Sequence, residues 1–225
     1  MGASVLIVAA GRGRRFGAET PKQYLPVDGT CALRRSIETF LSLSEVSVLQ
    51  VVFHPDDATL YADALHGLDD TRLRPPVPGG ETRVASVAAG LAALTPFAPD
   101  SVLVHDAARP FVSPRIIRDV LKALAHGPAA FPALPVVDAL WRGDDGHAVA
   151  PVLRDGLWRA QTPQGFRFDT LVRAHASYDG DAADDVEIAR AMGVAVRIVP
   201  GAEENFKITT PEDLDRANRL ARQLA

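Results

Sequence analysis

Residues 5–25 read VLIVAAGRGRRFGAETPKQYL. The run Val5–Ala10 is wholly apolar and stops at a glycine, which predicts a strand buried on both faces. Gly11-Arg12-Gly13-Arg14-Arg15 follows, then Pro21-Lys22-Gln23. Without a Cβ, Gly11 and Gly13 let the backbone turn sharply and come close to a ligand. Successive N–H groups in such a turn form an anion-binding nest. A buried strand that opens into this arginine-bearing turn points to a polyphosphate site. Two commoner phosphate loops are excluded: the dinucleotide fingerprint needs a third glycine where Phe16 stands, and a P-loop needs Gly-Lys-Ser/Thr.

Working outward, strands are expected at Val46–Phe53, Arg72–Val77, Ser101–His105, Ala129–Leu134 and Val194–Val199. Helices are expected at Ala32–Leu43, from His54 to Gly67, at Thr82–Leu94, from Ser113 to Gly127, at Phe168–Tyr178 and at Asp184–Met192. A last helix has Thr210 as N-cap and Asp213 as capping-box acid. This alternation predicts one α/β domain over residues 1–225, with a mostly parallel sheet covered on both faces. Ligands of such sheets bind beyond the carboxyl ends of the strands. Residues 136–154 break the alternation. Val136–Arg142, the turn Gly143-Asp144-Asp145-Gly146 and His147–Leu153 read as a hairpin, an arm projecting from the sheet.

Composition narrows the class. Of 225 residues, 47% are hydrophobic and 23% charged, as in an ordinary globular protein. The formal net charge of −4 argues against nucleic acid as a partner, so the basic residues near Gly11 are a local feature. Cys31 is the only cysteine, which excludes a disulfide framework or a cysteine zinc site within the chain. No apolar run approaches a membrane span, and the first strand lacks the basic flank of a signal peptide. Leu6 stands where a myristoylation site needs Ser or Thr. A cytoplasmic location with no membrane partner is the expectation. Only Lys22, Lys122 and Lys207 are lysines; Lys22 and Lys207 both sit in loop-like motifs, where a compact charge can act.

Four further motifs fall at strand ends. Gly79-Gly80-Glu81-Thr82-Arg83 leads into a helix whose first turn carries Ser86; a helix start after two glycines can hold an anion or a base edge, and equally can be a plain connection. In His105-Asp106-Ala107-Ala108-Arg109, Asp106 can reach Mg2+ on a triphosphate and Arg109 can take a phosphate bidentately. His105 is expected to pack or hydrogen-bond locally, because no second ligand lies at a metal spacing. Arg154 ends the hairpin, and Thr162 is held extended by Pro163, where its hydroxyl could face a cleft. In Glu204-Asn205-Phe206-Lys207-Ile208-Thr209, Lys207 is either a solvated loop residue or a phosphate clamp.

Taken in this order, the motifs closely resemble those of the 2-C-methyl-D-erythritol 4-phosphate cytidylyltransferase family, from Val5 to the final helix. The resemblance implies a GT-A-like (Rossmann-like) nucleotidyltransferase domain with a β-arm, 136–154, that swaps into a partner to make a homodimer. It implies that Ala9, Ala10 and Gly11 hold CTP, and that Gly80, Glu81 and Ser86 recognise its cytosine and ribose end. Asp106 would stand at the junction of Mg2+ and substrate. Arg109, Thr162 and Thr209 would contact methylerythritol phosphate. Arg15 and Lys22 would stabilise charge at the α-phosphate. Arg154, from the partner subunit, and Lys207 would position the attacking phosphate. Arg12 and Arg14 are as readily solvated as bound.

Two positions depart from the family pattern. Ala139 follows Asp138 and Ala183 precedes Asp184-Asp185, where the family often carries hydroxyls near the acceptor pocket. The implied reaction is in-line attack of an acceptor phosphate on the α-phosphorus of CTP, releasing pyrophosphate. The nucleophile is already an anion, so positioning and charge neutralisation are the protein's tasks. A cytidylyltransferase for another polyol phosphate, such as ribitol 5-phosphate, is the nearest alternative. A non-catalytic nucleotide-binding module is the alternative of a different class. A C-terminus of plain helix is compatible with a free chain or with fusion to a later enzyme of the pathway.

Overall fold

The computed structural model describes residues 2–12, 16 and 20–224. Strand β1 (Ala3–Ala9) leads through a small hairpin, β2 (Pro26–Val27) and β3 (Thr30–Cys31), to α1 (Ala32–Leu41). Then come β4 (Val46–Phe53), α2 (Ala58–Ala64), β5 (Val77–Pro78), α3 (Arg83–Leu94), β6 (Ser101–Asp106), α4 (Pro114–Leu124) and β7 (Ala129–Pro135). The second half holds β8 (Leu140–Asp144), β9 (His147–Val152), β10 (Trp158–Ala160), β11 (Gln164–Arg167), α5 (Phe168–Ser177), α6 (Asp185–Ala191), β12 (Val196–Pro200) and α7 (Pro211–Leu224).

The main sheet runs β10-β7-β11-β6-β1-β4-β5, with β12 on the other edge of β7. β1 is parallel to both β4 and β6, as its uninterrupted apolar run requires. Its side chains alternate between two cores. Val5, Ile7 and Ala9 pack with Leu33, Ile37 and Phe40 of α1 and Ile116, Ile117 and Val120 of α4. Leu6 faces Val87 and Leu91 of α3 and Leu171 of α5. α3 approaches β1 closely because Gly90 is bare; a Cβ there would lie 2.3 Å from Leu6 Cδ1. α4 starts as expected, with Ser113 Oγ accepting from Ile116 N and Pro114 in the first turn. Asp213 and Thr210 form the reciprocal capping box at the start of α7, at 3.0 and 3.3 Å.

Three expectations need correction. The strand expected at Arg72–Val77 is reduced to Val77–Pro78 and a single bridge between Leu73 and Leu49. Pro75 and Pro76 have no N–H for a ladder, and Arg72 instead spends its guanidinium on the carbonyls of Leu43 and Val46. The stretch after His54 opens with one 3-10 turn, Pro55–Asp57, before α2 begins. Strands β10 and β11 were not expected; both run antiparallel in the mostly parallel sheet. The stretch 136–154 contains β8 and β9, paired in a separate two-stranded sheet. Asp145 and Gly146 take φ of 45° and 76°, as a two-residue type I′ turn requires.

Candidate active site

The carboxyl ends of β1, β4, β5 and β6, with the segment before α7, enclose a cleft of about 750 Å3. Of the residues singled out from sequence, Ala9, Ala10, Gly11, Lys22, Gly80, Glu81, Ser86, Asp106, Lys207 and Thr209 line it. Arg109, Arg154 and Thr162 do not. Arg15 lies outside the described residues.

The β1 turn is pinned by a residue the sequence reading passed over. Gln23 is buried, and its amide Nε2 donates to the carbonyls of Ala9 at 2.6 Å and Gly11 at 3.2 Å. The Pro-Lys-Gln run was the available signal, since a glutamine can bridge two carbonyls where a hydrocarbon cannot. Lys22 stands beside it in a one-turn 3-10 helix, Lys22–Tyr24. Arg12 is committed to the buried carboxylate of Asp57.

The second glycine motif touches the first. A Cβ on Gly79 would lie 2.5 Å from Ala10 Cβ and 2.8 Å from Ser86 Oγ. Gly80 N donates to Ser86 Oγ at 3.2 Å, and Ser86 Oγ donates to the Thr82 carbonyl at 2.9 Å. Ser86 therefore closes the loop whose backbone walls the cleft. Thr82 caps α3 by accepting from Ala85 N at 3.0 Å. Arg83, a cleft-lining residue with no role assigned from sequence, pairs with the fully buried Asp185 at 2.6 Å.

Asp106 ends β6 in the cleft. Its Oδ2 meets Lys207 Nζ at 3.0 Å and Arg109 Nε at 3.4 Å. Burial works against its charge, but Lys207, Arg109 and Arg83 outweigh burial and hold the carboxyl well below the usual carboxylate range. Behind it, His105 is buried in a T-shaped contact with Phe40, at 5.0 Å between ring centroids. Burial pushes the His105 imidazole down to about 4, so it is neutral. Its Nε2 faces the Arg109 carbonyl at 3.1 Å, which can only accept. Nδ1 is then the acceptor, and the Thr162 hydroxyl at 2.9 Å donates to it. Thr162 Oγ1 in turn accepts from Asp106 N at 3.1 Å. The hydroxyl is spent on holding Asp106, beneath the cleft rather than in it.

Arg109 is similarly engaged. Besides Asp106 it donates to the carbonyls of Asn205 at 2.8 Å and Ala160 at 3.4 Å. It joins β6 to the Lys207 segment, which Asn205 also anchors through the Thr162 carbonyl at 2.8 Å. Thr209 Oγ1 donates to Asp213 at 2.7 Å while its side chain borders the cleft. Arg154 is exposed and donates to the Val137 carbonyl at the foot of the hairpin. Among the described residues, no group of three or more His, Cys, Asp or Glu side chains could hold a metal by itself. No helix among them is long and apolar enough to cross a membrane.

The chain is similar to known proteins over nearly its whole length. The family model "2-C-methyl-D-erythritol 4-phosphate cytidylyltransferase" matches residues 3–223. The Cereibacter sphaeroides protein of that name is 47% identical over 220 residues, covering 98% of this chain and 97% of its own. A Rhodospirillum rubrum protein named bifunctional enzyme IspD/IspF is 49% identical over 97% of this chain, which spans only 57% of that longer protein. Among solved structures, a Thermus thermophilus protein described as 2-C-methyl-D-erythritol 4-phosphate cytidylyltransferase superposes with a TM-score of 0.80 at 35% identity, over 99% of this chain and all of its own. The chain belongs to the 2-C-methyl-D-erythritol 4-phosphate cytidylyltransferase family.

Proposed function

We propose that this chain transfers CMP from CTP to 2-C-methyl-D-erythritol 4-phosphate, releasing pyrophosphate, the activity for which its family is named. The observation that carries the reading is the Asp106–Lys207 pair, 3.0 Å apart, in one cleft with both glycine loops. The loops of Ala9, Ala10 and Gly11 and of Gly80 and Glu81 offer backbone N–H and C=O groups to the nucleotide. Ser86 serves that wall by bonding Gly80.

Lys22 and Arg15 stabilise charge growing at the α-phosphate, and Lys207 positions the attacking phosphate. Lys207 and Arg109 both meet Asp106 at Oδ2, so Oδ1 is the oxygen suited to a divalent cation. A single carboxylate completed by phosphate oxygens is the manner in which Mg2+ is commonly held on a triphosphate. Such an ion would neutralise charge on CTP and on the departing pyrophosphate. Thr209, which borders the cleft, contacts the acceptor in this scheme. Arg109 and Thr162 act through Asp106, on which both their bonds converge.

Arg154 reaches a cleft in this scheme only as the partner subunit's contribution, in a homodimer built on the hairpin. The support is apolar surface on and beside the hairpin: Val137, Trp141, Val149 and Leu153 are each more than half exposed. A cytoplasmic location accompanies this biosynthetic role.

The test is pyrophosphate release from CTP with each candidate acceptor. Rapid release with methylerythritol phosphate, and little with ribitol 5-phosphate or with none, is expected. Preference for ribitol 5-phosphate would replace the acceptor, and Ala139 and Ala183 make that arm worth including. CTP binding with no release from any acceptor would reduce the chain to a binding module.

A further inference from the structure

Arg83 begins α3 one residue past its cap, in the turn that carries Gly80 and Ser86 to the cleft. Its side chain is 20% exposed on the cleft wall. A single amino group is engaged: Nη2 donates to Asp185 Oδ2 at 2.6 Å. The other amino nitrogen, Nη1, is buried with no hydrogen-bond partner among the described residues. An arginine cannot shed its proton to escape such a situation, and orphaned buried donors are uncommon in folded proteins.

The anchor behind it is unusually complete. Asp185 is fully buried; its second oxygen accepts from His175 Nε2 at 2.9 Å, and its backbone N–H is fixed by Gln164 Oε1 at 3.0 Å. α5 and β11 thus fix Asp185 of α6 through its carboxylate and its backbone N–H, and that carboxylate holds one guanidinium at one point. Asp106 lies close enough to favour the Arg83 charge further. The guanidinium is tethered on one side and unspent on the other, beside the loop that walls the nucleotide.

Resting on the cytidylyltransferase reading above, we propose that Arg83 contacts the nucleotide, turning about its Asp185 tether to donate to an oxygen of bound CTP. Asp185 and His175 are its positioning residues. A guanidinium can hold a carboxylate with one amino group and a ligand oxygen with the other; an ammonium at the same place offers one compact point.

The test compares Arg83→Lys with wild type by steady-state kinetics and by calorimetric titration of CTP without acceptor. Arg83→Lys should raise both KM and Kd for CTP about tenfold, the loss of one charge-assisted hydrogen bond. kcat and the acceptor KM should move far less. An unchanged CTP Kd would overturn the contact, and a rise confined to the acceptor KM would overturn the assignment to the nucleotide. Asp185→Asn should weaken CTP in the same direction because the tether loses its charge. If that variant does not fold, His175→Ala reads the same chain of contacts. Wild-type CTP affinity in the folded variant would overturn the positioning role. Failure of the wild-type enzyme to release pyrophosphate would instead sink the reaction assigned above, and the CTP titrations would still decide the Arg83 contact.

Discussion

At the scale of single residues, the hydroxyl of Thr162 has one donor and has given it to His105, while its oxygen takes the Asp106 N–H. Thr162→Val removes both partners at a buried position, and a net cost of about 1–3 kcal/mol is expected in denaturant unfolding. Thr162→Ser should retain most of that stability; equal losses in the two variants would mean that packing of the methyl group matters instead. The same network sets a pH dependence. His105 in the folded chain is pushed from its ordinary 6.5 down to about 4, so the unfolded chain takes up the proton first as pH falls. Its contribution is complete above 6.5 and is lost progressively between 6.5 and about 4. Stability from this group should be about 2 kcal/mol lower at pH 5 than at pH 7. His105→Asn, which keeps a donor and an acceptor but does not titrate, should flatten the unfolding free energy over that interval. An unchanged slope would assign it to other groups.

At the scale of elements, α3 illustrates packing that overrides propensity. Gly→Ala inside a helix ordinarily stabilises by about 1 kcal/mol. At Gly90 the new methyl would meet Leu6 Cδ1 at 2.3 Å and Val52 Cγ2 at 2.9 Å, both in the core. Gly90→Ala should therefore destabilise by about 1–3 kcal/mol, measured by urea unfolding. A stabilised variant would mean that α3 can lift off β1 without cost. The same closeness serves the site, since α3 carries Ser86 and Arg83 to the cleft from a fixed height above β1.

At the scale of the whole molecule, the cleft draws on distant segments. Lys207 and Asp106 are about a hundred residues apart in the chain, and Arg109, Asn205 and Thr162 tie their two segments together. The hairpin stands apart in its own sheet with Trp141 and Leu153 exposed. If it is the dimer contact proposed above, wild-type protein should sediment as a dimer. Trp141→Glu should then shift it toward monomer and lower turnover together, because Arg154 sits at the foot of the same hairpin. A monomeric wild type with full activity would remove the arm from the mechanism.

What the sequence by itself determined was local and patterned. The apolar run of β1, the two glycine loops, the Ser113-Pro114 and Thr210-Asp213 caps and the Asp-Gly turn are each written within a few adjacent residues. Neighbouring backbone sterics and hydrogen bonds decide such features, so adjacency is enough. The order of the motifs carried the family as well. Only the tertiary structure decided which polar groups are already spent. β11 exists because β6 and β7 flank it, and Gly165 fits there because a Cβ would strike Val120 at 2.5 Å. Thr162 and Arg109 are bonded to Asp106 and its neighbours, and Gln23 and Arg83 line the cleft. A side chain's role follows from the partners within about 3 Å of it. Those partners come from strands and helices far away in the chain, whose approach no short stretch of sequence records.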